Sequence, residues 1–367
     1  MAGYDRCFSD YRDGDTRTAG PYVTSLSRQV SSRIGQLLLV SIGMIMLPLS
    51  ASFGEDNAQW FSLRNHNPFL QVYGLPAFQD ATLAADGEVK YRVSLDVVNH
   101  ADASKTETES IILDGESYFL ALSMQYGATR WLELGIDLPL VAHTDGFLDN
   151  AIESWHDLWG LSNSRRSGPS NQLRFFYDNP MISSYELTSR SFGIGDVQLT
   201  AAVPLSRFSD PGAGALVLRS SIKLPTGDDE MLRGSGAFDF SLGIYASRSA
   251  VLVEHDLDFS GFAGVLFPGE GEIFPALQRS AVAFGGAGAT WRMTDRLSIG
   301  SQIYAQDAYH DADLREIGGT SVQLALGGTF RFPRQRLSLV FALVEDVISN
   351  GTPDFALHFS VHGYGGK

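Results

Sequence analysis

Apolar and polar residues alternate strictly along several stretches of this chain. In Lys90 to Val97, Tyr91, Val93, Leu95 and Val97 fall on one side of an extended chain, and Lys90, Arg92, Ser94 and Asp96 fall on the other. A period of two belongs to the β-strand, so the pattern predicts a strand with one apolar and one charged face. The period returns in Trp131 to Leu140, where Leu132, Leu134, Ile136, Leu138 and Leu140 oppose Glu133, Gly135 and Asp137. It returns again in Ala215 to Pro225, where Leu216, Leu218, Ile222 and Leu224 oppose Val217, Arg219, Ser221 and Lys223. Further strands are predicted over 239–247, 255–266, 296–306, 321–331, 336–346 and 353–362.

Several of these segments reach ten residues. Strands of a soluble sandwich, the competing class together with a lipocalin-like barrel, average about five to six. About nine to eleven are needed to cross a bilayer at a tilt. Beyond the N-terminal region no apolar run is long enough for a spanning helix, and a membrane chain without such helices has to close into a barrel. The expected fold is therefore all-β, a transmembrane antiparallel up-and-down β-barrel.

Connection lengths orient the strands. Short turns are read at 127–130, 206–214, 247–254, 293–295 and 333–335, and longer connections at 99–115, 226–238, 267–278, 307–320 and 345–352. In outer-membrane barrels short turns are periplasmic and long loops external, which places the C-terminus in the periplasm. Between Leu140 and Asp196 only the short candidates 172–177 and 185–191 occur. Twelve strands with an external hairpin are preferred, with fourteen as the alternative. In the same long external loop, Leu148, Ile152, Trp155 and Trp159 fall at helical spacing opposite Asn150, Glu153 and Asp157, predicting a short amphipathic helix over Phe147 to Trp159. Such a helix, with His156 on it, would constrict the mouth or lie at the lipid boundary.

The single long apolar run, Ile34 to Leu49, follows Arg28 and Arg33 and precedes Ser50, Ala51, Ser52 and Gly54. A basic flank, an apolar core and a small-residue exit predict a secretory signal cut near Ser50 to Gly54. Residues 1–54 are accordingly leader and signal, 55–87 a periplasmic N-terminal segment, 88–362 the barrel and 363–367 a tail. The sole cysteine, Cys7, lies in the leader, which suits export to an oxidising compartment. Removing residues 1–54 reduces 27 Lys+Arg and 42 Asp+Glu to 22 and 38, a net charge of −16, so nucleic acid is excluded as a partner.

Projected onto a barrel, the inner face carries Lys90, Arg92, Asp96, Glu133, Asp137, Asp196, Arg219, Lys223, Asp239, Asp256 and Asp258. A basic residue facing lipid at the midplane costs roughly 2–4 kcal/mol, so these groups require a wet or ion-paired lumen. Passive passage of small solutes along charged walls is the leading function. A structural, adhesive or assembly barrel is the competing class, and a lipid-modifying enzyme the third.

The cluster His143, Asp145, Glu153 and His156 lacks His-Glu-x-x-His spacing, and no Gly-x-Ser-x-Gly turn is present. Neither a metal site, a cofactor nor a catalytic site is expected. His310, Asp311, Asp313 and Glu316 read as a solvated charged loop. Glycines such as Gly261, Gly264, Gly285, Gly286, Gly288, Gly327 and Gly328 lie inside strands, where they permit bends and close contacts.

Three segments carry a family resemblance: Arg64-Asn65-His66-Asn67-Pro68-Phe69, Asp145-Gly146-Phe147-Leu148-Asp149 with Trp155-His156, and Lys223-Leu224-Pro225-Thr226-Gly227-Asp228. Together they resemble an uncharacterised family of proteobacterial outer-membrane proteins, catalogued as a domain of unknown function. The resemblance implies the barrel fold and an outer-membrane location and brings no activity. Expected partners are outer-membrane lipid and lipopolysaccharide, the barrel-insertion machinery and a small solute. Phe359 and Val361 keep the outward parity of a C-terminal insertion signal, although Tyr364-Gly365-Gly366-Lys367 follow them.

Overall fold

The computed structural model describes residues 59–146, 172–205, 214–252, 254–348, 351–353 and 355–365. The leader, the Ile34 to Leu49 run and the Phe147 to Trp159 segment, with Leu148, Ile152, Trp155, His156 and Trp159, lie outside them. Fifteen strands form one antiparallel sheet: β1 (Val89–Lys105), β2 (Ser110–Thr129), β3 (Leu132–Thr144), β4 (Arg174–Asn179), β5 (Ser183–Leu187), β6 (Ser191–Ile194), β7 (Gln198–Pro204), β8 (Ala215–Lys223), β9 (Asp239–Leu252), β10 (His255–Phe267), β11 (Val282–Arg292), β12 (Leu297–Gln306), β13 (Ser321–Phe332), β14 (Leu337–Ile348) and β15 (Phe355–Gly365). Twelve of them close a barrel. Each pairs with its chain neighbour, β7 pairs with β3, and β15 returns to β1. The remaining three extend the wall past one rim: β4 pairs with Ser110–Asp114 of β2, β5 with β4, and β6 with Leu140–His143 of β3. The external-hairpin reading, not fourteen spanning strands, accounts for 172–191.

The alternation of the sequence becomes two faces. Tyr91, Val93, Leu134, Leu138 and Ile222 are exposed on the outside, while Asp96, Glu133, Asp137, Arg219 and Lys223 are buried within. Tyr126, Trp131, Trp291 and Tyr364 ring the outer surface at the short-turn end, and Phe192, Phe238, Phe240 and Phe267 mark the other. Along β10 the outward residues run from Leu257 to Phe267. Ten steps of ~3.4 Å at a tilt near 40° give an apolar height of about 26 Å, the thickness expected of a membrane barrel. Among the described residues no helix is long and apolar enough to cross a membrane.

Four boundaries differ from those read in the sequence. The connection read as 99–115 is mostly strand, because β1 and β2 stay paired out to Lys105 and Ser110. The turn read as 247–254 shrinks likewise, since β9 continues to Leu252. The strand read as ending at 362 reaches Gly365, held by pairing of Gly363 to Gly365 with Tyr91 to Val89. Residues 59–87, set apart by sequence as a periplasmic segment, are packed inside the barrel. In this segment Phe61, Leu63, Phe69, Leu70, Tyr73 and Phe78 are at most 3% exposed and belong to the main core. Only the lumen offers them that cover.

The plugged lumen, a candidate passage

The N-terminal segment traverses the lumen twice. It starts at the short-turn end, where Gln59 O accepts a bond from Thr329 Oγ1 (3.5 Å), and rises past Gln302, whose amide exchanges bonds of 2.6 and 2.9 Å with the backbone N–H and C=O of Phe61. At the opposite rim the Asn65-His66-Asn67 stretch turns the chain. Asn65 Oδ1 accepts the Asn67 N–H at 2.8 Å and Asn67 Oδ1 accepts the Phe69 N–H at 3.0 Å, the Asx turns for which these residues are suited. Their amide nitrogens meanwhile donate to Gly351 O (2.6 Å) and Glu316 O (3.0 Å) in the long connections.

The descending arm is pinned as closely. Tyr73 donates to Ile273 O (3.0 Å), the Gly74 N–H to Asp239 Oδ2 (2.7 Å) and the Ala81 N–H to Ser247 Oγ (2.8 Å). Near the exit the Ala84 N–H donates to Glu133 Oε2 (2.6 Å), and the Gly87 N–H to Gly127 O (2.8 Å). One bond joins the arms, Phe78 N to Leu63 O at 2.9 Å. The result is a hairpin plug without regular secondary structure, both ends of which lie at the short-turn end.

The sequence placed eleven charged residues along the wall, and the structure buries or half-buries all eleven and brings most into pairs. Arg219 Nη1 lies 2.8 Å from Glu133 Oε1, with side chains 4% and 1% exposed. Lys223 Nζ lies 2.5 Å from Asp196 and 3.4 Å from Asp239. Arg92 approaches Asp137 at 3.6 Å, Arg292 approaches Asp258 at 3.1 Å, and Lys90 Nζ donates to Thr82 O of the plug at 3.1 Å. Asp256 is half-buried opposite Arg292 in register. Asp96 accepts from His358 Nδ1 at 2.7 Å and lies 3.4 Å from His66 of the plug. Buried charges require partners of this kind.

Two of the resembling segments now have structural roles. Arg64 to Phe69 forms the plug apex. In Lys223 to Asp228, the Gly227 N–H donates to Asp196 Oδ1 (2.7 Å) and Asp228 pairs with Arg233, so this loop closes on the link between β6 and β7 that carries Asp196. His143 is a wall residue: Nδ1 meets Ser117 Oγ at 2.8 Å and Nε2 faces Leu232 O at 3.2 Å. Asp145 pairs instead with Arg190 (2.6 Å), and Glu153 and His156 lie outside the described residues.

The His310 to Glu316 loop is not solvated throughout. Asp311 does face outward and pairs with Arg279, but His310 is fully buried, 2.9 Å from the Tyr73 hydroxyl, and Glu316 accepts from Ser104. Burial, helped by Arg279, pushes the His310 imidazole down to about 4. A single helical turn, α1 (Arg315–Gly318), occupies this loop. Together with Ile111, Phe175, Tyr177 and Phe274 the loop shares one core with the plug apex, where Phe274 meets Phe69 at 5.1 Å. A cavity of about 10 Å³ between plug and wall, near Arg64, Gln71 and Lys223, has room for a single water.

A family described as "Protein of unknown function (DUF3187)" matches residues 37–364. No curated protein matches the chain. Among solved structures, the COG4313 outer membrane channel from Pseudomonas putida F1 aligns at a TM-score of 0.52 with 14% identity, covering 78% of this chain and 99% of that one. The NanC porin aligns at 0.40 with 8% identity (76% and 99% covered), and the transport unit of the autotransporter AIDA-I from Escherichia coli at 0.41 with 9% (79% and 93%). At 14% identity the first likeness is one of fold.

Proposed function

Given that this chain belongs to the DUF3187 family of proteins of unknown function, we propose that it is an outer-membrane passage for small solutes, held closed by its own residues 59–87. The observation that carries this reading is the course of the plug. Both its ends leave at the short-turn, periplasmic end, so the hairpin can be withdrawn to that side without threading a chain end through the barrel. A plug needed only as filling would have no reason to keep that route. The channel fold of the Pseudomonas putida F1 protein supports the same reading, and the apolar belt and aromatic girdles support an outer-membrane location. Neither ion pairs nor lumen are available to solutes while the hairpin is in place. The resting state is therefore non-conducting, and the charged wall acts on solutes only after release.

A tether tests this. The chain has one cysteine, Cys7, outside the described residues, so Ala81→Cys with Ser247→Cys joins plug to wall where they are already hydrogen-bonded. In planar bilayers the reduced protein should show rare openings that oxidation abolishes. Asn65→Ala with Asn67→Ala removes, besides the two Asx bonds within the plug, the two bonds to Gly351 O and Glu316 O that tie the apex to the long connections; at about 1 kcal/mol each, losing these two should raise the open fraction roughly thirtyfold. Steady conduction with the tether closed would overturn the plug. Silence of every variant would remove the passage and leave a structural barrel.

A further inference from the structure

The wall beneath the plug mixes ionic and aromatic stretches. The ionic groups just described face the lumen from β1, β3, β8 and β15, from the link before β7 (Asp196), and from the ends of β9 (Asp239), β10 (Asp256, Asp258) and β11 (Arg292). Between those ends, from β9 to β12, the inner face carries an aromatic cluster: Tyr245 stacks on Phe262 (5.0 Å), which also meets Phe284 (6.1 Å) and Tyr304 (5.7 Å). The plug inserts rings into this sector. Phe78 packs edge-on against Phe262 at 5.1 Å, Trp60 stacks on Phe78 at 5.6 Å, and Tyr73 stacks on Tyr309 at 4.9 Å.

The same sector holds polar groups that the plug leaves unserved. Gln306 is 2% exposed, and neither atom of its amide has a hydrogen-bond partner. The Tyr309 hydroxyl, fully buried, has none either. A core built only for filling would place apolar groups here, since a buried polar group without a partner is costly. A ring carrying a hydrogen-bonding substituent would stack where Phe78 and Trp60 now lie and satisfy groups that the plug does not.

Resting on the passage reading, we infer that the β9–β12 sector is a binding site for small planar aromatic solutes bearing a carboxylate or hydroxyl, and that such solutes compete with the plug for the wall. The plug rings then act as built-in stand-ins for the solute. A ligand that binds only the unplugged state shifts the population towards it, so the solute would promote its own passage.

The test uses the full chain carrying Ala81→Cys and Ser247→Cys, reduced, in a planar bilayer. Phenylacetate should raise the open fraction at least tenfold at a concentration where propionate, of equal charge, changes it less than twofold. The difference should vanish in Phe262→Leu and shrink severalfold in Gln306→Leu, which keeps the barrel's apolar packing should the first variant fold poorly. Openings that respond equally to both acids would overturn the solute class and leave the passage standing. No openings in any arm would overturn the passage itself, and this inference with it.

Discussion

Glu133 joins the wall pair to the plug, so its neutralisation should cost more than a surface ion pair could. One carboxylate oxygen takes Arg219 at 2.8 Å and the other takes the Ala84 N–H at 2.6 Å, with Glu133 at 1% exposure. Glu133→Gln leaves a single acceptor for two donors and strands a buried guanidinium that keeps the Tyr245 ring, 5.6 Å away, and the electrostatic influence of Asp80. Breaking a buried pair from one side costs about 3–5 kcal/mol. The retained amide oxygen places this variant near 3 kcal/mol, and at roughly 2 °C per kcal/mol for a large domain the melting midpoint should fall by about 6 °C. Replacing both charges, Glu133→Gln with Arg219→Met, removes the stranded cation and should recover most of that loss. Thermal unfolding in detergent, followed by far-ultraviolet circular dichroism, reads all three proteins. A single variant that melts within 1 °C of the parent would refute the buried pair. So would a double variant destabilised by the sum of its parts.

Other consequences follow from the same contacts. A Cβ at position 288 would lie 2.6 Å from Trp60 Cζ3 and 2.8 Å from Gln302 Cγ, so Gly288→Ala should cost about 1–3 kcal/mol in the parent and less, though not nothing, in Trp60→Ala, measured by the same melts. His310 is neutral in the folded protein down to about 4 and takes its proton at 6.5 when unfolded. Its contribution is therefore complete above pH 6.5 and lost as pH falls towards 4. At 1.36 kcal/mol per unit this amounts to roughly 3 kcal/mol. Stability should decline across that window, and His310→Gln should flatten the decline; an unchanged slope would remove His310 as its source. Cysteine at Leu134 or Leu138 should react with a lipid-soluble maleimide and cysteine at Asp137 should not, because a one-residue slip of β3 would reverse all three.

The spanning strands were legible because lipid constrains every outward residue. Leu134, Ile136 and Leu138 have no alternative to being apolar, and the period of two survives wherever the wall meets lipid. The inner face carries no such discrimination. Glu133 must be polar whether it meets water or the Ala84 N–H, so alternation gives the same pattern for an open lumen and a filled one. The plug was missed for a related reason. Trp60, Phe61, Leu63, Phe69, Leu70, Val72, Tyr73, Leu75 and Phe78 follow neither a strand nor a helix period, because an irregular chain surrounded by wall on all sides has no preferred face. That absence of period in so apolar a stretch was itself a signal, since such a segment cannot remain in water and has to be covered. Gly127 and Gly288 carried a second. A Cβ at position 127 would lie 1.9 Å from Ala85 O. Glycines on the inward parity of otherwise regular strands thus record where another chain comes close, and here that chain is the protein's own N-terminal hairpin.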